Sequence, residues 1–427
     1  MSDLDSVVTV SITRDAPAIT RQGFGTPLIM SYHTRFGELS RTYSSLREMS
    51  DDGFTTYDDA YRMAAALSAQ SPTVEQWVVG RLPVAPTFTT EVTITDATPG
   101  NVIKLVVYAP ATGVATEINY TILAAATTTT VATAVELLID AVAGVDSTSA
   151  GAVISATPTV AGRYVHISPI QGATVRDITA DADYDTAINN LQAVNDEWYA
   201  VLIDSRSDAN LDAVKLWVAS QPKLFFADNT IPLTEAGSAR TVELYEPNSV
   251  EFAASRYAAR GLAYDPGSIT WSLKTLTGAT PYRLSTSQRT TQEGFNGNYY
   301  TTLAGRSVVR PGKLGDGEWI DIVHGIDALT VRIQEDVFNL LSSALKVPFT
   351  DSGFVMIENA ILGAMRPFEG TVEQPGLLVT GTSKVTMPKA SSISTVDKAA
   401  RTLNNVRFSA TLAGAVHTVA IDGYLSY

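Results

Sequence analysis

The sequence predicts an α/β protein (α+β overall) with a central mixed or parallel sheet flanked by helices, a β-rich inserted domain, and strand arms at both ends. Three observations lead there. Between residues 185 and 276, nearly continuous apolar runs alternate with amphipathic stretches, the pattern of strands buried on both faces between covering helices. Between 85 and 183 the chain turns rich in Thr, Val and Ala and poor in Lys and Arg, with short strand-like runs. The two chain ends alternate apolar and polar residues yet lie far in sequence from that sheet. The expected division is an N-terminal strand arm, 1–14, a discontinuous core, 15–84 and 184–402, an inserted domain, 85–183, and a C-terminal hairpin arm, 403–427.

In the first segment Val8, Val10 and Ile12 are separated by Thr9 and Ser11, which reads as a strand. After the turn-rich stretch 23–27, a helix is expected from about Thr56. Tyr57, Tyr61, Ala64, Ala65 and Ala69 give it helical spacing, and Asp58 and Asp59 fall in its first turn, where the helix dipole favours acid. A short apolar strand at 77–79 follows, and Pro83 and Pro86 break the pattern. In the Thr-rich segment, strands are expected at 88–95, 102–108, 116–122, 152–156 and 164–167. One helix sits among them, with Val131, Val135, Leu138, Ile139 and Val142 on one face.

From Asp185 helix and strand alternate. Ile188, Leu191 and Val194 share a helical face, and 198–203 is a nearly continuous apolar strand ending in Asp204. Leu211, Val214 and Val218 mark the next helix, capped by Ser207 or Asp208. A strand at 223–227, a helix at about 249–263 and a strand at 269–276 repeat the theme. A long helix from about 322 to 345 carries Ile326, Leu329, Ile333, Val337, Leu340, Leu341 and Leu345 along one stripe. Pro348 ends it, and another helix runs from Asp351 through Ile357 and Ile361 to Met365. Finally Val406, Phe408, Ala410 and Leu412 alternate with Arg407, Ser409 and Thr411. Ala413-Gly414-Ala415 then turns into 416–421, which includes Val419 and Ile421, and the whole reads as a hairpin.

Composition narrows the function. At roughly 150 residues per domain, 427 residues suggest two or three domains. The chain is 45% apolar and only 17% charged, so disorder is excluded as its dominant state. Its net charge of −14 comes without a basic cluster, which argues against a surface that neutralises nucleic-acid phosphates. Cysteine is absent, which excludes disulfides, thiolate metal sites and cysteine nucleophiles. The acidic start Met1-Ser2-Asp3-Leu4-Asp5 has no apolar core of a secretory signal. The uncharged run between Glu117 and Glu136 contains Asn119 and four consecutive threonines, unlike a membrane span. A soluble protein without membrane insertion is expected. Low charge in so long a chain remains to be explained, since about a quarter of residues are usually charged.

No constellation of residues points to catalysis, and no cofactor or metal is expected. The four histidines, His33, His166, His324 and His417, stand apart in sequence. Asp321, His324 and Asp327 share roughly one helical face, so a metal site is conceivable, but an acidic first helical turn with a histidine near it is the reading preferred. Residues 181–185 imitate the start of a calcium loop, yet Thr186 and Gln192 stand where Gly and Glu are required. Residues 312–317 lack phosphate-loop spacing, and Gly381-Thr382-Ser383-Lys384 lacks the second glycine of a nucleophile elbow. The strand ending in Asp204 enters its helix through Ser205-Arg206-Ser207-Asp208, with no glycine and with an acid where a dinucleotide phosphate would sit. That strand tip is either a plain loop or a seat for a small ligand.

The order of several stretches resembles the tail sheath proteins of contractile-tailed bacteriophages. The resemblance runs through 8–14 (Val-Thr-Val-Ser-Ile-Thr-Arg) and 19–28, then 252–262, Asp265-Pro266-Gly267 and Thr270-Trp271-Ser272-Leu273-Lys274. It continues through Asn296-Gly297-Asn298-Tyr299, Gly317-Glu318-Trp319-Ile320-Asp321, the 327–341 helix, and 346–353 (Lys-Val-Pro-Phe-Thr-Asp-Ser-Gly). It spans nearly the whole chain except the Thr-rich insertion.

The resemblance implies a discontinuous sheath core built from both chain ends around a central α/β unit, with the inserted domain facing outward. It implies a structural, non-enzymatic subunit of the virion, assembled in the host cytoplasm. The partners it implies are further copies of the chain in stacked hexameric rings, the inner tail tube protein, and baseplate and tail terminator proteins. There would be no direct nucleic-acid contact. Such a sheath contracts to drive the tube through the host envelope for genome ejection. An unpaired strand at one end and a hairpin at the other fit strand exchange between copies, with Val8, Val10, Ile12, Val406, Phe408, Ala410, Leu412, Val419 and Ile421 as contacts. The Ser-rich stretch 389–395 suits a flexible connector to such an arm. Three other readings stay open: the sheath of a bacterial contractile injection system, a nucleotide-cofactor enzyme on the central α/β unit, and a self-assembling surface or adhesion module. Interface cores are depleted in charge, so a polymer subunit also accounts for the low charge content.

Overall fold

The computed structural model describes residues 23–371 and 373–420, which fall into two compact units. One comprises Gly23–Ala263 and Lys274–Gly317, and the other comprises Tyr264–Leu273 and residues 318–420. The expected N-terminal strand with Val8, Val10 and Ile12 lies outside the described residues, as does Ile421.

In the first unit the chain enters through β1 (Pro27–Tyr32), β2 (Ser40–Tyr43), α1 (Leu46–Asp51), α2 (Asp59–Ser68) and β3 (Trp77–Leu82). β1 and β2 lie where the sequence offered no alternation. β1, at Pro-Leu-Ile-Met-Ser-Tyr, is buried on both faces, so Leu28, Ile29 and Met30 follow one another without alternation, while β2 is only four residues long. Asp58 is the N-cap residue of α2, so the helix starts three residues later than expected.

The inserted segment contributes β4 (Thr90–Ile94), β5 (Val102–Tyr108), β6 (Ala115–Thr121), α3 (Thr128–Asp140), β7 (Val145–Ala150), β8 (Val153–Pro158), β9 (His166–Gln171) and β10 (Ala173–Asp177). Two antiparallel sheets, in the orders β10-β4-β8-β7 and β6-β5-β9, enclose a hydrophobic cluster of their own with α3. Thr127 caps α3 in a reciprocal capping box with Thr130. Val131, Ala132, Val135 and Ile139 are fully buried, whereas Leu138, expected on that face, is 41% exposed. β7 and β10 were not legible because Asp146, Ser147, Thr148, Ser149, Thr174 and Arg176 dilute their apolar positions.

The chain then returns through α4 (Tyr184–Gln192), β11 (Ala200–Ile203), α5 (Asp208–Val218), β12 (Leu224–Asn229), β13 (Thr241–Tyr245), α6 (Ala253–Leu262), α7 (Thr286–Gly294), β14 (Asn298–Leu303) and β15 (Arg306–Arg310). The sheet order is β15-β14-β13-β12-β11-β1-β3-β2. Its interior strands are parallel, and the edge pairs β14–β15 and β2–β3 are antiparallel, so the sheet is mixed. Leu28, Met30, Val78, Val201, Ile203 and Phe225 pack with α4 and α5. The alternate residues of those strands point to the other face, where Phe226 meets Tyr257 of α6 with ring centroids 6.1 Å apart.

Between the two pieces of this unit, residues 269–276 form turns instead of the expected strand. Gly267 and Leu273 both adopt positive φ, which a continuous ladder does not accommodate. The alternation of Ile269, Trp271 and Leu273 mimicked a strand across a folded-back loop.

In the second unit α8 (Ile320–Ser343) packs against α9 (Asp351–Met365), followed by β16 (Glu369–Gly370), β17 (Leu378–Val379), β18 (Lys384–Thr386), α10 (Thr395–Ala400) and β19 (Arg407–Ser409). Thr350 caps α9, its side chain accepting from the Gly353 N–H at 3.2 Å. Leu329, Ile333 and Val337 of α8 meet Ile361, Ala364 and Met365 of α9. Leu341 and Leu345, expected on the same stripe, are exposed.

The C-terminal hairpin expected at 406–421 does not form among the described residues. β19 pairs antiparallel with β18, placing Phe408 opposite Val385, and 416–420 holds no strand. Of the strand expected at 406–412 only 407–409 forms one, with an isolated bridge at Leu412, and period two carries no information about which strand pairs with it. The 389–395 stretch is not a free connector along its whole length, since the Ala390 N–H donates to Asp351 at 2.8 Å and α10 begins at Thr395.

Candidate functional site

Two places gather the residues of interest, one in each unit. In the second unit, Val406, Phe408 and Ala410 are partly buried against the α8–α9 cluster. Leu412 makes an antiparallel bridge with Leu378, and flanking backbone bonds run from Val379 N–H to Thr411 and from Ala413 N–H to Leu377, both 2.8 Å. Beyond it Val416 and Val419 are 80% and 70% exposed. The structure thus brings 406–412 to one wall and leaves 416–420 on the surface, where His417 packs on the Trp319 ring and bonds Thr270 at 2.7 Å.

In the first unit the carboxyl ends of the parallel strands form a polar crest. Asp204, at the tip of β11, is fully buried, accepting from Ser31 Oγ at 2.6 Å and from the Tyr184 hydroxyl. Burial, reinforced by the negative charge of Asp59, pushes its carboxyl up to about 7. Asp228, at the end of β12, accepts the Ala254 N–H at the start of α6 at 2.8 Å, and burial raises its proton affinity too. Glu246, just beyond β13, is held well above the usual carboxylate range by burial.

Side chains of the 163–168 stretch close over this crest, in a grouping that the sequence did not single out. His166 Nε2 lies 2.9 Å from Asp59 Oδ1, and its Nδ1 lies 3.2 Å from Ser249 Oγ. Arg163 lies 2.8 Å from Asp58, and Ser168 donates to Asn248 at 2.6 Å. Burial opposes ionisation of Asp59, yet the His166 and Arg62 charges outweigh it and lower its pKa; burial lowers that of His166.

The Asp59–His166–Ser249 series has the connectivity of a hydrolytic triad. It does not have the access: Ser249 is 2% exposed, and the neighbouring cleft of at most about 200 Å³ is lined by His166, Asp59, Arg62 and Tyr57 but not by Ser249. Ordinary small-molecule sites are larger, from roughly 300 Å³ upward. Such networks cannot be read from sequence, because their members sit 83 and 107 positions apart.

The other chemical motifs fold into structural roles. Asp183 caps α4 in the left-handed conformation, its N–H donating to Asp181 at 3.0 Å, which accounts for the acidic run at 181–185. Gly312 and Lys313 donate their backbone N–H groups to Asn298 at 2.8 and 3.1 Å. Asp321, His324 and Asp327 are buried in α8, with Trp271 against the His324 ring. His33 is sandwiched by Phe36 and Phe54, and burial lowers its pKa to about 4. Among the described residues no three His, Asp or Glu side chains are placed to hold a metal ion, and no helix is long and apolar enough to cross a membrane.

No family model matches the chain, and no curated protein matches it in sequence. Solved structures do match in fold. A chain in the cryo-EM structure of the anti-feeding prophage baseplate, 6-fold symmetrised, superposes with a TM-score of 0.55 at 11% identity, covering 99% of both chains. A chain of the anti-feeding prophage helical sheath in its contracted state gives 0.53 at 10% identity, covering 98% of this chain and 99% of that one. The PVC sheath complex of an extracellular contractile injection system, also contracted, gives 0.54 at 9% identity over 98% and 96%. The mixed α/β architecture of this chain is therefore the fold of contractile sheath proteins.

Proposed function

We propose that the chain is a structural subunit of a contractile sheath, which polymerises with copies of itself around an inner tube and shortens to drive that tube through a target envelope. The observation that carries this reading is the extent of the fold match: 98% of the chain aligns with chains of two contracted sheath structures. In this reading the inserted domain faces outward, the work is mechanical, and no cofactor is required. The baseplate of the anti-feeding prophage contains a chain of this fold, which supports association of the sheath with a baseplate.

Strand exchange is the assembly mode that the chain ends suit. The 8–12 segment of one copy would add to the wall formed by Val406, Phe408, Ala410 and Leu412 in a neighbour, with Val419 and Ile421 contributing beyond it. Val416 and Val419 in the segment beyond that wall are exposed, as such pairing would require. Ladder bonds contribute only about 0.5–1.5 kcal/mol each, so burial of the apolar side chains must supply the rest.

Negative-stain microscopy of the purified protein tests the reading. Long hollow tubes with a helical repeat are expected, and uniform small particles at high concentration would refute it. Deleting residues 1–14 should abolish tubes while leaving a folded subunit, and normal tubes after that deletion would overturn the exchange of arms.

A phage tail is the reading that the sequence resemblance favours, with the sheath carried in a virion and serving genome ejection. A headless injection system is the second reading, favoured by the injection-system structure among those that share the fold. Particles isolated from producing cells separate them, since only the phage carries a DNA-filled head.

A further inference from the structure

The central sheet has a topological switch point, and it is occupied from within. β1 pairs in parallel with both β3 and β11, and the chain runs outward from β1 to β3 on one side and through β11, β12 and β13 on the other. In open α/β sheets the crevice beyond the carboxyl ends of two such diverging strands is where small ligands bind. Here it lies between Ser31 of β1 and the loop 204–207 after β11, joined by the Ser31–Asp204 hydrogen bond.

The group lodged against that loop is the carboxylate of Asp177, the last residue of β10 in the inserted domain. Its Oδ2 accepts from Ser205 Oγ at 3.0 Å and from the Arg206 backbone N–H at 2.8 Å. Its Oδ1 accepts from Thr179 N–H at 2.9 Å and from the Thr179 hydroxyl. Asp177 is 1% exposed, and the donors sit just ahead of Ser207, the N-cap of α5, where the helix dipole favours an anion. Arg206 is 3% exposed, and none of its three guanidinium nitrogens has a hydrogen-bond partner. Asp228 is 3.6 Å from it and the Phe252 ring lies 4.6 Å below. The Arg206 guanidinium thus faces Asp228 and Phe252, and the seat itself is made by the Ser205 hydroxyl and the Arg206 N–H, two donors converging on one carboxylate oxygen.

We propose that the 205–207 loop is a small-oxyanion seat of carboxylate class and that Asp177 is its tethered ligand, so that the inserted domain is held on the core as a bound ligand would be. Asn210 secures the same attachment, donating to Ser205 Oγ at 3.0 Å and to the Ala180 carbonyl at 3.2 Å while accepting the Ala182 N–H at 2.8 Å. The place where a relative of this fold class would take a metabolite is thereby spent on fixing a domain. The inference concerns one subunit and does not depend on assembly.

Hydrogen exchange on the full-length free subunit tests it, read at the linkers 85–89 and 178–183, with sodium formate as the probe and sodium chloride at equal ionic strength as the control. Asp177→Ala should speed linker exchange by about tenfold, and formate should reverse the effect where chloride does not. Asp177→Asn should also speed exchange, because its amide nitrogen cannot accept, but formate should not reverse it, since the amide still fills the seat. Unchanged exchange in Asp177→Ala, or acceleration that formate leaves untouched, overturns the proposal. If Asp177→Ala fails to fold in chloride, it should fold in formate; failure in both, together with an Asp177→Asn chain that exchanges like the wild type, also overturns it.

Discussion

Ser31 and Asp204 stand at the carboxyl ends of adjacent parallel strands, and the Ser31 hydroxyl donates to the buried Asp204 carboxylate at 2.6 Å. Tyr184 donates to the other oxygen, so the ionised acid is solvated by the protein alone. Burial still outweighs these bonds and lifts the Asp204 pKa from 3.8 to about 7. The folded chain therefore holds this proton more tightly than the unfolded chain. The resulting stabilisation is complete below pH 3.8 and is lost as pH rises through about 7. Asp204→Asn should remove that dependence. The stability difference between wild type and variant should shift by up to about 4 kcal/mol across this window, read by urea denaturation at stepped pH.

His166, the first residue of β9, is joined to α2 through Asp59. His166→Ala leaves the Asp59 carboxylate buried with Arg62, 3.6 Å away, as its ion-pair partner. A loss of about 2–4 kcal/mol is expected in denaturant unfolding. Asp59→Ala removes the orphaned charge, so the double variant should cost less than the two single changes added together, by about 1–3 kcal/mol of coupling.

Two glycines should respond in opposite directions. A Cβ at Gly315 would stand 2.4 Å from the backbone of Gly237, where nothing flexible can yield. Gly315→Ala should therefore lower stability by about 1–3 kcal/mol. Gly363 lies inside α9 with open space around it, so Gly363→Ala should raise stability by about 0.5–1 kcal/mol. Thermal unfolding of both variants against wild type checks the pair.

Phe408 faces Val385 across the β18–β19 ladder and rests on the α8–α9 cluster. Its half-buried ring makes Phe408→Ala worth about 1–2 kcal/mol in calorimetric unfolding, less than a fully buried phenylalanine. The proposed sheath role adds a second readout, since the same change should slow tube formation more than it lowers the melting temperature.

Periodicity and capping chemistry made much of the fold legible. The run 198–204 announced a strand buried on both faces, Ser207 announced the start of α5, and the shift to Thr and Val at 85–183 announced a segment with its own core. β1 and β2 escaped because neither alternates, and 269–276 misled because its apolar alternation belongs to turns in which Trp271 is buried but Leu273 is 44% exposed. The arm residues Val406, Phe408 and Ala410 were recognised as strand, but their partner inside the chain was not. At the crest, Asp204 and Ser205 were visible as a strand tip, whereas Asp177, Asn210 and Arg206 carried no local signature.

The sequence by itself determined the class of sheet, the starts of α5 and α9, the separate apolar cluster of the 85–183 segment and the absence of cysteine chemistry. All of these follow from side-chain type and spacing over a few residues. Only the tertiary structure decided that β19 pairs with β18, that His166 reaches Asp59, and that Asp177 fills the crevice beyond β11. Those outcomes depend on hydrogen-bond partners tens of residues or more apart. A donor or acceptor in a sequence states that it must be satisfied, while the fold alone states by which group.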